Sequence, residues 1–150
     1  MTFPVEHLDQ IDSTNTEAMR RIAKGETGPL WLVADRQTAG KGRSGRSWTS
    51  EPGNFYGSLI LPLECPRDVA AQVSLIVGIA VVDALAEVAG GPVDGLRLKW
   101  PNDVLVDGRK LAGVLIESDG AVAIIGVGIN VTQVEWPEEL RRNAVSLRQL

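Results

Sequence analysis

The chain has 150 residues, 44% apolar and 23% charged, with a net charge of −4; this is enough for one domain burying about two thirds of its unfolded surface, and it excludes disordered and collagen-like classes. The acidic balance argues against a broad nucleic-acid-binding face, and the lone Cys65 excludes an internal disulfide framework and suits a reducing compartment. The uncharged stretch Val69 to Val82 falls short of the roughly 20 apolar residues of a membrane span, and the N-terminal MTFPVEHLDQ carries no secretory signal, so no membrane and a cytoplasmic location are expected.

Taken in chain order, Val5 to Ile11 reads as extended. At Ser13-Thr14 the pattern changes: Thr14 and Glu17 have capping-box spacing, and Ala18, Met19, Ile22 and Ala23 recur at helical intervals until Gly25. Leu30 to Ala34 is a strand-length apolar run, followed by a glycine-rich loop from Gln37 to Asn54 and the strand-like FYGSLIL. Val69 to Ala89, apolar on most sides and ended by Gly90-Gly91, is expected to be a helix packed on a sheet. Leu96 to Trp100, Asp103 to Val106, Leu111 to Glu117 and Val122 to Val131 read as strands, with Asp107-Gly108 and Asp119-Gly120 as hairpin turns between them. This order predicts an α+β fold with a mixed or antiparallel sheet and the helices mainly on one face. The tail from Gln133 to Leu150 shows Trp136-Pro137 and a short charged helix candidate, with no chemistry we can name.

Charge is distributed unevenly. Arg36, Lys41, Arg43 and Arg46 crowd the glycine-rich loop, which concentrates positive potential for a phosphate or carboxylate. The run Gly40 to Gly45 spells G-x-G-x-x-G, but it leads into another loop and a strand, whereas a dinucleotide fingerprint opens a helix. It is not a phosphate-binding Walker loop either, since Lys41 is followed by Gly42, and the kinase signatures are missing. What remains is a loop whose small residues let backbone N–H groups approach an anion, with cations interleaved; a solvated turn with scattered arginines is the plain alternative for any single residue.

Two further segments are polar between apolar strands: Lys99-Trp100-Pro101-Asn102-Asp103, and Arg109-Lys110 at the head of Leu111 to Glu117. Arginines outnumber lysines eleven to four, yet Lys41, Lys99 and Lys110 all fall in these segments. His7 is the only histidine, which with one cysteine cannot make a His/Cys zinc site and leaves Ser13 without a triad. No structural metal is assigned.

Read together, Ser13-Thr14-Asn15, Gln37, Ala39 to Trp48, Lys99 to Asp103, Arg109 to Glu117 and Gly126-Val127-Gly128-Ile129-Asn130 resemble biotin protein ligases, over about residues 10 to 131. The resemblance implies a core similar to class II aminoacyl-tRNA synthetases. It also implies biotin and ATP with Mg²⁺ as substrates, formation of biotinyl-adenylate, and transfer to a lysine of a biotin carboxyl carrier domain. Ser13, Thr14, Asn15, Gln37, Gly40, Lys41, Gly42, Arg43, Lys110 and Gly113 would bind biotin, and Arg43, Arg46, Trp48, Lys99, Asn102, Lys110 and Asn130 would bind ATP. Lys110, Arg43 and Asp103 would carry the catalysis, with Mg²⁺ arriving on the nucleotide and no ligand set assigned to it. The Lys41-Gly42-Arg43 segment would fold over the ligands once both are bound.

Lys41 stands where the family usually has arginine, which gives charge without a bidentate fork. The family's catalytic domain normally continues past the equivalent of Leu150 with a helix and often a small β-barrel, so residues 1–150 are expected to be a catalytic domain incomplete at its C-terminal end. A counterpart of the repressor members' N-terminal DNA-binding region is not expected, nor is DNA binding. The rival readings are a lipoate or octanoate ligase of the same superfamily and a truncated protein that holds biotin or its adenylate without transfer. The hairpin edges would also permit sheet-to-sheet pairing of two copies.

Overall fold

The alternating β-branched and apolar runs build one sheet. A computed structural model describes residues 2–63 and 67–150, without the side chains of residues 67–71; Cys65 lies outside the described residues. The strands are β1 (Val5–Ile11), β2 (Leu30–Gln37), β3 (Phe55–Pro62), β4 (Leu96–Lys99), β5 (Asp103–Val106), β6 (Arg109–Asp119) and β7 (Val122–Ile129), in the order β1-β2-β3-β7-β6-β5-β4. Every expected strand is present. The β5–β6 turn is two residues, Asp107-Gly108, both at positive φ (49° and 79°), the backbone that matches the twist of a tight hairpin.

The one parallel pair is β1 with β2, and the helix between them, α1 (Thr14–Ile22), is the crossover such a pair requires. All other neighbours are antiparallel, so the sheet is mixed as the element order implied. The placement of the helices differs from the expectation. Alternation sends Leu32, Ile60 and Ile124 to one face, where Ala18 and Met19 of α1 cover them. It sends Leu59, Ile125 and Val127 to the other, which packs with Val81 and Leu85 of the second helix, α2 (Arg67–Val88), and with Val104 and Val106. One helix per face, instead of both on one, follows from a sheet whose central strands are apolar on both sides. Each fully buried Leu or Ile adds about 1.5–3 kcal/mol to that packing. Among the described residues no helix is long and apolar enough to cross a membrane.

The start of α1 also departs from the sequence pattern. Its N-cap is Ser13, whose hydroxyl accepts from Thr16 N–H at 3.5 Å, and the Thr14–Glu17 box does not form. Glu17 instead binds Arg20 and Arg21, at 2.7 Å each, and Arg20 forks onto Asp12 at 2.8 and 3.0 Å. The ion-pair web holds α1 against β1 and frees Thr14 to turn inward.

The Arg20 guanidinium holds the Asp12 carboxyl at about 2, against an ordinary 3.8. Because the folded-state value is depressed, the stability it contributes is present above pH 3.8 and is lost as pH falls toward 2. The pair is over 40% exposed, so its worth is about 0.2–1 kcal/mol. Denaturant titrations at pH 5 and pH 2.5 should show a smaller loss of stability on acidification in Asp12→Asn than in the parent chain.

Candidate active site

The site lies on the α1 face, where adjacent strands carry glycine. Gly113 of β6 is opposite Gly128 of β7, and Gly126 is opposite Ser58 and Leu115. The indole of Trp48, brought over by the β2–β3 loop, occupies this bare strip: a Cβ at Gly128 would stand 2.8 Å from its Cε2, and one at Gly113 would stand 2.9 Å from its Cζ3. A Cβ at Gly126 would collide with the carboxamide oxygen of Asn15. Side chains are missing where the site needs room.

Two clefts result. The first, about 450 Å³, has a polar end at the head of α1. There Gln37 Oε1 accepts from Thr14 N–H at 2.8 Å and lies 3.2 Å from Thr14 Oγ1, while its Nε2 donates to Ser50 Oγ at 3.1 Å. Ser58 Oγ lies 2.7 Å from Thr14 Oγ1 and 2.6 Å from Asn15 Oδ1, and Asn15 Nδ2 donates to Glu117 at 2.8 Å. Buried polar groups of this density are tolerated only when each finds a partner, and these do. The second cleft, about 810 Å³, is walled by Trp48, Asn130, Trp136, Leu140 and Ala144.

Both clefts share Gly42, Arg43, Trp48, Asn102 and Lys110. Lys110 Nζ stands 2.8 Å from Asp103 Oδ1 and 5.0 Å from the Trp48 ring centroid, an ammonium held between a carboxylate and a π face. Arg43 reaches across from the loop to donate to Asn102 Oδ1 at 3.0 Å, and Asn102 Nδ2 is itself fixed on the Val114 carbonyl at 3.1 Å. The loop is thus folded over the site, with Arg43 at the junction of the two clefts.

Of the residues singled out from the sequence, Ser13, Thr14, Asn15, Gln37, Lys41, Gly42, Arg43, Trp48, Asn102, Lys110 and Gly113 line the first cleft. Arg46 and Asn130 line the second, where the Asn130 amide nitrogen is tied to the Lys110 and Val145 carbonyls at 3.1 Å each. Asp103 is in neither lining and meets the site through its ion pair with Lys110. Gly40 contributes a close backbone approach to the Trp48 carbonyl and is not part of either wall. Lys99 is exposed at the end of the edge strand β4, two strands out from β6, and is not brought into either cleft.

Sequence reasoning missed Ser58 and the walls supplied by the tail. Ser58 had a signal, a hydroxyl on an apolar strand, but the tail had none: residues 143–147 run beside Lys110 and Asn130 through main-chain bonds, Lys110 N–H to Asn143 O at 2.7 Å and Val145 N–H to Lys110 O at 3.0 Å.

The model of the biotin/lipoate A/B protein ligase family matches residues 8–132. The chain belongs to this family. A biotin–[acetyl-CoA-carboxylase] ligase of Paracoccus denitrificans is 44% identical over 134 residues, covering 87% of this chain and 55% of the relative. A protein of the same description from Mycobacterium tuberculosis is 40% identical over 144 residues, covering 94% and 53%. The chain therefore spans about half the length of the curated relatives it matches. Among solved structures, the Leishmania major biotin protein ligase in complex with biotinyl-5-AMP superposes with a TM-score of 0.86 at 31% identity, covering 98% of this chain and 64% of that one. The Aquifex aeolicus biotin protein ligase in complex with biotin and ATP gives 0.80 at 38%, covering 96% and 59%. The α+β core with its mixed sheet is the fold of this ligase family.

The tight fit of Asn15 over Gly126 makes that position intolerant. Gly126→Ala should lower unfolding free energy by about 1–3 kcal/mol, the usual cost of overpacking, in a denaturant titration.

Proposed function

We propose that this chain is the catalytic domain of an ATP-dependent biotin protein ligase, acting in the cytoplasm on a lysine of a biotin carboxyl carrier domain. The observation that carries the reading is the junction of two clefts at Lys110 and Arg43: a small polar one suited to a heterocycle with N–H and C=O groups, and a larger one with Trp48 and Trp136 suited to a purine.

In the first step a biotin carboxylate oxygen bonds to the α-phosphorus of ATP, the bond to the bridging oxygen breaks, and pyrophosphate leaves. Two anions must be brought together, and the protein's task is to neutralise and align them. Lys110, pre-oriented by Asp103 and Trp48, and Arg43, held by Asn102, put two cations where the carboxylate and phosphate meet. Fixed donors in a partly dry site stabilise developing charge without reorganising at the moment of reaction. In the second step a neutral lysine amine of the carrier attacks the mixed anhydride carbonyl, forming the amide and releasing AMP. Mg²⁺ would enter as part of the nucleotide substrate and help to neutralise its phosphates.

Biotin-dependent exchange of labelled pyrophosphate into ATP tests the reading. The parent chain should support exchange, and Lys110→Ala should lower its rate by about 10²–10³-fold, as for loss of one preorganised donor. Exchange that requires lipoate or octanoate in place of biotin, or none with any of the three acids, would overturn it.

A further inference from the structure

Ser58 is fully buried (0% exposed) in the middle of β3, with Tyr56 and Ile60 as the next residues on its own face. A hydroxyl in such a place is costly unless satisfied, and its neighbours allow every proton to be accounted for. Asn15 Nδ2 donates to Glu117 Oε2 at 2.8 Å and to the Leu115 carbonyl at 3.4 Å, which turns Asn15 Oδ1 toward Ser58. That oxygen accepts only, and it is 2.6 Å from Ser58 Oγ, so the proton between them belongs to Ser58. Ser58 has no second proton for Thr14 Oγ1 at 2.7 Å, and Thr14 must supply that one. The longer 3.2 Å separation of Thr14 Oγ1 from Gln37 Oε1 agrees, because Gln37 Oε1 is already served by Thr14 N–H at 2.8 Å.

The protons therefore run in one direction, from Thr14 to Ser58 to Asn15 to Glu117, and end on a carboxylate. Thr14, which lines the first cleft, is left with lone pairs on Oγ1 and no free proton. We propose that this relay, passed through Ser58 and anchored at Glu117, is the specificity device of the first cleft. It fixes Thr14 Oγ1 as an acceptor for ligand N–H and thereby selects a cyclic urea over acyl groups that offer no N–H, such as a dithiolane or a plain alkyl chain. The inference rests on the biotin reading given above. A ligand without N–H leaves a desolvated acceptor unpaired, and sites built around a polar contact reject such analogues far more strongly than apolar pockets reject a misfit of shape. Ser58 and Glu117 are positioning residues, acting through Thr14.

Calorimetric titration of biotin without ATP, into the parent chain, Ser58→Ala, Thr14→Val and the double variant, tests the relay. Ser58→Ala should weaken biotin binding by about tenfold, the scale of one hydrogen bond to a buried group. Once Thr14→Val has removed the hydroxyl that the relay aims, adding Ser58→Ala should change affinity by less than about twofold, since interacting positions are non-additive. Glu117→Ala, which removes the acceptor for Asn15 Nδ2 and lies outside the lining of both clefts, should show the same coupling and serves where Ser58→Ala folds poorly. Binding by Ser58→Ala and Glu117→Ala as tight as that of the parent chain, or equal losses with and without Thr14→Val, would overturn the relay while leaving the biotin reading standing. A parent chain that takes up no biotin would overturn both.

Discussion

Gly113, Gly126 and Gly128 lie on two adjacent strands, and the bare backbone they leave is the surface on which the site is assembled. Trp48 can lie against the sheet only because two of them lack a Cβ, and Asn15 can reach Ser58 and Glu117 only because the third does. Lys110 depends on the same constraint at one remove, since the indole that covers its ammonium is seated on that strip. The strip lies within the sheet, whose hydrogen bonding and packing against α2 on the far face hold it rigid, so the β2–β3 loop and the long Lys110 side chain are placed by a rigid part of the molecule.

The two clefts are stabilised in different ways. At the head of α1 the polar atoms bond to one another, which fixes orientations before any ligand arrives and reduces the ordering entropy of binding. At the second cleft the walls are aromatic and aliphatic, and contact area does the work. The cations sit where these regimes meet, close enough to the apolar wall for their fields to be weakly screened and near enough to solvent to remain charged. Asp103 and Trp48 offset part of the cost of holding Lys110 there.

Much of this was legible in the residues. Strand positions followed from alternation and from the Asp-Gly turns, and the motif segments named most of the first cleft because recognition of a polar ligand leaves unusual residues at fixed spacing. Three features were not. Which face each helix covers depends on pairing between strands far apart in the chain, and central strands apolar on both sides accept a helix on either. Lys99 shares a motif with Asn102 and Asp103, yet the turn at Pro101 puts it on the outermost strand. Residues 143–147 join the site through main-chain hydrogen bonds, which leave no trace in side-chain pattern.

That main-chain seam bears on how the protein is made. Lys110 donates its N–H to Asn143 and accepts from Val145 at its carbonyl, and Asn130 is bound on both sides of its backbone, to Leu111 and to Leu147. A nascent chain not yet extended past residue 143 would have its sheet pairings available but Lys110 tethered on one side only, so the site would close later than the sheet on which it is built.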